Sequence, residues 1–267
     1  MKRIISILFT LTFCFSPFLL GQSDFIISHD GVKLRYIESG QGAPVILMHG
    51  FTGSAVSWTN NGVFQSLAED FHVMAFDARG HGQSDKPHNP DMYGANMALD
   101  ALAVMDHFDY EKAHVVGYSM GARLTGYLLG FQPHRLLTAT FGASPPRLDY
   151  HENREANELR AQNMKRNLSE QSDGETGRPS QDFEALKAIP YSWESQAITT
   201  DQIKDNKINT LAIVGSEDER LEGMQSFSKA MPNTQLEVVE GATHSGEEGL
   251  GFRPEFIHTI RDFLQRN

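Results

Sequence analysis

Short apolar runs alternate with helical patterns along most of this chain. Residues 25–28 and 32–38 read as a strand pair, with His29-Asp30-Gly31 as the turn between them. Pro44–Met48 is a continuous apolar run, as expected of a strand buried on both faces. Residues 73–76, 113–116 and 211–214 repeat that pattern, and 136–141 and 236–239 are weaker versions. Between them apolar residues recur with helical period over 55–69, 96–108, 120–129, 221–231 and 254–265. Strands alternating with helices predict the α/β class, with a mostly parallel, twisted sheet and helices on both faces. No internal repeat interrupts the pattern.

One segment breaks the alternation. From Ser144 to about Asn206 there is no buried-strand run. Pro145-Pro146 opens the segment, a charged stretch follows over 148–168, and 169–180 is rich in Ser, Gly and Glu. Phe183, Leu186, Ile189, Tyr191 and Trp193 then give it an apolar side. The expected organisation is a core of 22–144 and 207–267, with 145–206 inserted as a short helical cap. A long disordered loop is the alternative, against which the aromatics at 183–193 argue.

Composition narrows the function classes. The chain has 267 residues, 40% hydrophobic and 21% charged, which is ordinary globular usage and excludes a multi-span membrane protein. Its formal net charge is −11 and it has no basic run, so nucleic acid and anionic membrane surfaces are not expected partners. The single cysteine, Cys14, allows no internal disulfide, and no Cys/His cluster has zinc spacing. At the N-terminus Lys2 and Arg3 precede an apolar run from 4 to 20, followed by Gly21. That pattern predicts a signal peptide over 1–21 and an exported, periplasmic or secreted product with no stable membrane partner. An uncleaved inner-membrane anchor is the alternative. Nothing in the sequence fixes the oligomeric state.

The chemistry is concentrated in three turns. Gly117-Tyr118-Ser119-Met120-Gly121 lies between a predicted strand and a predicted helix, the context in which G-x-S-x-G presents a nucleophile. The glycines allow a sharp turn that pushes the serine oxygen out above the sheet, and the helix starting at Met120 aims its amides at a forming oxyanion. A serine needs a base and an orienting acid. His244 follows the last predicted strand, and Asp218 follows the run at 211–214. Both fall at carboxyl ends of parallel strands, where such sheets place their ligands. Glu217 and Asp149 are alternatives for the acid. The backbone amides of Phe51 and Met120 are the expected oxyanion donors. Phe51, Trp58, Phe141, Tyr191 and Trp193 are candidate pocket walls, although core packing explains each of them as well. His49 reads as structural, holding its loop, rather than as a proton carrier.

Five pieces in this order, namely the His49-Gly50 loop, the 77–84 stretch, the Ser119 turn, the Asp218 turn and the His244 turn, resemble the α/β-hydrolase fold superfamily, in its branch of small serine hydrolases. The resemblance runs over nearly all of 25–266 and is weakest at 145–206. It implies a carboxylesterase-like enzyme acting on small or medium ester, lactone or thioester substrates, with no metal or organic cofactor. C–C bond hydrolysis and cofactor-free perhydrolysis are alternatives that use the same three residues, and a catalytically silent ligand-binding protein is a non-enzyme one. Serine at the elbow speaks against the dehalogenases and epoxide hydrolases of this fold, which use aspartate there. Thr52 stands where many relatives carry proline.

Overall fold

The structure, a computed structural model, describes residues 24–148 and 181–267, with positions 155, 159, 162–164, 166 and 167 between them. The predicted signal segment, Asp149 and the polar piece at 169–180 lie outside the described residues.

Eight strands make one sheet: β1 (Asp24–Ile27), β2 (Lys33–Ser39), β3 (Pro44–Met48), β4 (His72–Phe76), β5 (Ala113–Tyr118), β6 (Leu136–Gly142), β7 (Asn209–Gly215) and β8 (Thr234–Val239). Their order is β1-β2-β4-β3-β5-β6-β7-β8. β2 pairs antiparallel with β1 and with β4, and every pair from β4 to β8 is parallel. All five residues of β3 are buried. Successive side chains of a strand point to opposite faces, so Ile46 and Met48 enter one core with Leu124 and Phe141, while Val45 and Leu47 enter the other with Trp58 and Phe256. That two-sided burial is why the run reads as continuously apolar.

The chain leaves β3 to one side to form β4, then crosses to the other side to form β5. The loops after β3 and β5 therefore diverge and leave a crevice at their carboxyl ends. The predicted helix at 55–69 is instead two, α1 (Val56–Asn60) and α2 (Val63–Leu67). Gly62, at φ 82°, turns the chain between them in the left-handed region that a glycine adopts without steric cost. α3 (Ala95–His107), α4 (Met120–Phe131), α7 (Leu221–Ala230) and α8 (Pro254–Gln265) occupy the other predicted stretches.

Within 145–206 the described elements are α5 (Phe183–Ala188), a 3₁₀ segment over Ile189–Gln196 and α6 (Thr200–Ile203). Asp182 caps α5 by accepting from the Ala185 amide at 3.1 Å, and Thr199 and Gln202 form a reciprocal capping box on α6. These elements pack along α3 and α4, where Ile198 meets Gly130 and Gln196 donates to the Gly94 carbonyl.

Candidate active site

Ser119 stands at the junction of β5 and α4 with φ 53° and ψ −104°. For a residue with a side chain that conformation costs about 1–3 kcal/mol, and the surroundings must hold it. They do so through backbone bonds: the Ser119 amide donates to Gly142 at 2.8 Å, and the Gly121 amide donates to His49 at 3.2 Å. The flanking glycines are steric requirements. A Cβ on Gly117 would lie 2.3 Å from the Gly121 carbonyl, and one on Gly121 would lie 2.0 Å from the Met48 carbonyl oxygen.

The base and acid arrive on two interlocked turns. The Glu217 amide donates to Ala242 at 3.0 Å, and a Cβ on Gly215 would lie 1.9 Å from that same Ala242 oxygen. This close approach sets Asp218 beneath His244. His244 Nδ1 lies 2.9 Å from Asp218 Oδ2, and His244 Nε2 lies 3.0 Å from Ser119 Oγ. Asp218 Oδ1 accepts from the Arg220 amide at 3.0 Å and from the Arg220 guanidinium at 3.2 Å. Burial works against the Asp218 charge, but the His244 and Arg220 hydrogen bonds outweigh it and hold the carboxyl below its ordinary range. Glu217 is exposed, while the Asp218 side chain is fully buried.

The two predicted donor amides border the same serine. Met120 opens α4, where no carbonyl of the helix can reach its N–H. Phe51 follows Gly50, where a Cβ would lie 3.5 Å from the Ser119 Cβ. The loop is a turn closed by Gly53 N–H to Gly50 O at 3.0 Å, with Thr52 at φ 63°. Across the mouth, Gln181 Nε2 donates to the Thr52 carbonyl at 3.0 Å. This is a direct link between the inserted segment and the donor loop.

His49 and the 77–82 stretch support this loop from below. His49 Nδ1 lies 2.7 Å from the Gly50 carbonyl, and its Nε2 accepts from the Ala78 amide at 3.0 Å. Asp77 accepts from the amides of Ala55 and Gln83. Arg79 is fully buried and clasps Asp100 of α3 and Asp30 of the β1–β2 turn, each through both carboxylate oxygens. Burial pushes His81 down to about 3, so it is neutral at working pH. Asp30, Asp100 and His29 are close enough to suggest a cation site, but the Arg79 guanidinium already fills the space between the two carboxylates.

The pocket candidates separate. Phe51 is half-buried beside the serine, with its ring edge-on to His81 at 5.7 Å. Trp58 and Phe141 are corrections: both are core residues. Trp58 packs behind the sheet with Val45, Leu47 and Phe256, and Phe141 sits against Phe227 with ring centres 4.7 Å apart. Trp193 is buried too, with the Arg147 guanidinium 4.1 Å above its ring and that of Arg123 at 5.9 Å. Tyr191 is 66% exposed on the outside of the 3₁₀ segment, so it is no pocket wall either. Sequence reasoning missed Tyr118, Arg220 and Gln181. Tyr118 and Gln181 act through contacts 126 and 129 positions away, which local sequence does not mark, whereas Arg220 reaches back only two positions to Asp218.

A family model described as alpha/beta hydrolase fold matches residues 43–174. The protein has the α/β-hydrolase fold. Among solved structures, this hydrolase-fold chain is similar to a thermophilic esterase from Thermogutta terrifontis, with 24% identity, a TM-score of 0.75, and coverage of 92% of this chain and 99% of the other. It is also similar to a meta-cleavage product hydrolase from Pseudomonas fluorescens IP01, with 22% identity, a TM-score of 0.67, and coverage of 91% and 97%. Among curated relatives, a soluble epoxide hydrolase from Corynebacterium sp. strain C12 is 37% identical over 101 residues, which is 37% of this chain and 33% of that protein. The chain spans about a third of the length of the first curated relatives it matches.

Proposed function

We propose that this protein is a serine hydrolase that cleaves carboxylic ester bonds of small to medium substrates through an acyl-enzyme. The observation that carries the reading is the continuous chain from Ser119 Oγ through His244 to the buried Asp218, with steps of 3.0 and 2.9 Å, at a strained elbow. Ser119 attacks the ester carbonyl while His244 Nε2 takes its proton. Asp218 holds the ring with Nδ1 protonated and stabilises the imidazolium. The amides of Phe51 and Met120 receive the oxyanion. His244 returns the proton to the leaving alcohol, then activates the water that releases the acid. The curated relatives that carry epoxide hydrolase in their names bear on the fold but not on this step. Opening an epoxide to an enzyme ester needs a carboxylate nucleophile, and a hydroxyl stands at this elbow.

The test is hydrolysis of p-nitrophenyl esters of rising chain length, with labelling by a fluorophosphonate probe. Ser119→Ala should lower kcat by at least about three decades and abolish labelling, with circular dichroism unchanged. Ester hydrolysis near the parent rate in that variant would refute the assignment.

A further inference from the structure

Ser119 and His244 are brought together from turns 125 positions apart. The His244 turn is largely exposed from Ser245 to Glu248. The bond to Asp218 fixes one edge of the imidazole, and the turn that carries it is closed by Thr243 N–H to Glu248 O and Leu250 N–H to Thr243 O, each at 2.9 Å. A second anchor lies in the residue just before the nucleophile. The Tyr118 hydroxyl donates to the His244 backbone carbonyl at 2.6 Å, and the Tyr118 ring stacks on the imidazole, with centres 5.8 Å apart and planes 29° apart.

We propose that Tyr118 is a positioning residue: its hydroxyl ties the His244 turn to the serine elbow and so sets the distance across which the proton moves. This inference rests on the serine-hydrolase reading above. Tyr118 is bonded through one peptide to Ser119, so the tie closes a ring. That ring runs from the Tyr118 hydroxyl to the His244 carbonyl, through the imidazole to Ser119 Oγ, and back along the backbone. Displacement of the His244 backbone away from the elbow must break the 2.6 Å bond, and with it goes the base that meets Ser119 at 3.0 Å.

The tyrosine itself is held in a slot made by glycines. A Cβ on Gly142 would lie 2.9 Å from the ring carbon Cδ2, one on Gly50 would lie 3.5 Å from Cδ1, and one on Gly251 would lie 3.7 Å from Cε2. Phe256 closes the slot edge-on at 5.7 Å. The side chain therefore has little rotamer freedom left to lose when the tie forms. Burial pushes the phenol up to about 12, so it remains a donor throughout the working range. A tyrosine that only filled space would need the ring and not the hydroxyl, which gives the test its contrast.

Tyr118→Phe keeps the ring and removes the donor. On p-nitrophenyl butyrate its kcat should fall roughly ten- to hundredfold, the scale of a small misplacement of a reacting group, with KM within about twofold of the parent. The downfield proton resonance of the His244–Asp218 bond should broaden. Replacing Tyr118 by p-aminophenylalanine, which restores a donor, should recover most of the rate. Ser119→Ala, run alongside, separates the two readings. If Ser119→Ala is inactive while Tyr118→Phe keeps kcat within twofold, or loses only KM or thermal stability, the tie is overturned and the serine mechanism stands. If the Phe variant does not fold, failure of the p-aminophenylalanine protein to reach parental kcat while folded overturns the tie. Activity retained in Ser119→Ala overturns both.

Discussion

At the scale of single residues, two neighbouring acids show how the site assigns roles. Glu217 and Asp218 differ by one methylene and one position, yet one is exposed and the other is fully buried against His244 and Arg220. Asp218→Asn should lower kcat by about 10⁴, because an amide favours the wrong imidazole tautomer. Glu217→Gln should leave kcat within a factor of about two. Steady-state kinetics on one ester decides, and a reversed result would move the acid to Glu217. Ser119, Asp218 and His244 were legible in the sequence because glycines punctuate their turns: the spacing at 117–121 and Gly215 before the acid are local marks. The hydroxyl bond from Tyr118 to residue 244 leaves no such mark, since the tyrosine reads as one more apolar position at a strand end. For Trp58 and Phe141, pocket wall and core packing were both open readings, and the structure gives core packing. An aromatic residue carries no local sign of whether it will face a pocket or the core.

At the scale of elements, the helix at 55–69 shows the limit of periodicity. The apolar period continues across Asn61-Gly62, and only the left-handed glycine breaks the element. Over 183–203 the helical character was legible but the packing was not, since Leu186, Ile189 and Ile198 join the core with residues of α3 and α4. Elements are also tied by charge. Arg79 joins the β1–β2 turn to α3, and burial alone would favour a neutral Asp30. Its hydrogen bonds with Arg79 outweigh that and hold Asp30 well below the carboxylate range. Arg79→Met should cost about 3–5 kcal/mol, because it leaves the fully buried Asp100 without its partner. Arg79→Met combined with Asp100→Leu should recover part of that loss. Urea denaturation measures both, and equal stabilities for the single and double variants would show that the pair is not the source.

At the scale of the whole molecule, alternation of strand and helix was enough to predict the class, and three turns at strand ends were enough to place the site. The strand order, with β4 between β2 and β3, came only from the structure, since pairing partners are set by long-range packing. We propose that the chain is exported, on the strength of Lys2, Arg3, the apolar run and Gly21. Expressed in a Gram-negative host, the periplasmic protein should begin at Gln22 by N-terminal sequencing, and a soluble cytoplasmic product beginning at Met1 would refute this. The interlocked turns after β7 and β8 have a further consequence for biosynthesis. The backbone bonds that hold Ser119 and Gly121 in the elbow are made to residues at or before Gly142, whereas acid and base come after Gly215 and fit together through Ala242. A nascent chain therefore carries its serine for a further 125 residues before the base is made. The serine gains its base only once the turns after β7 and β8 are in place.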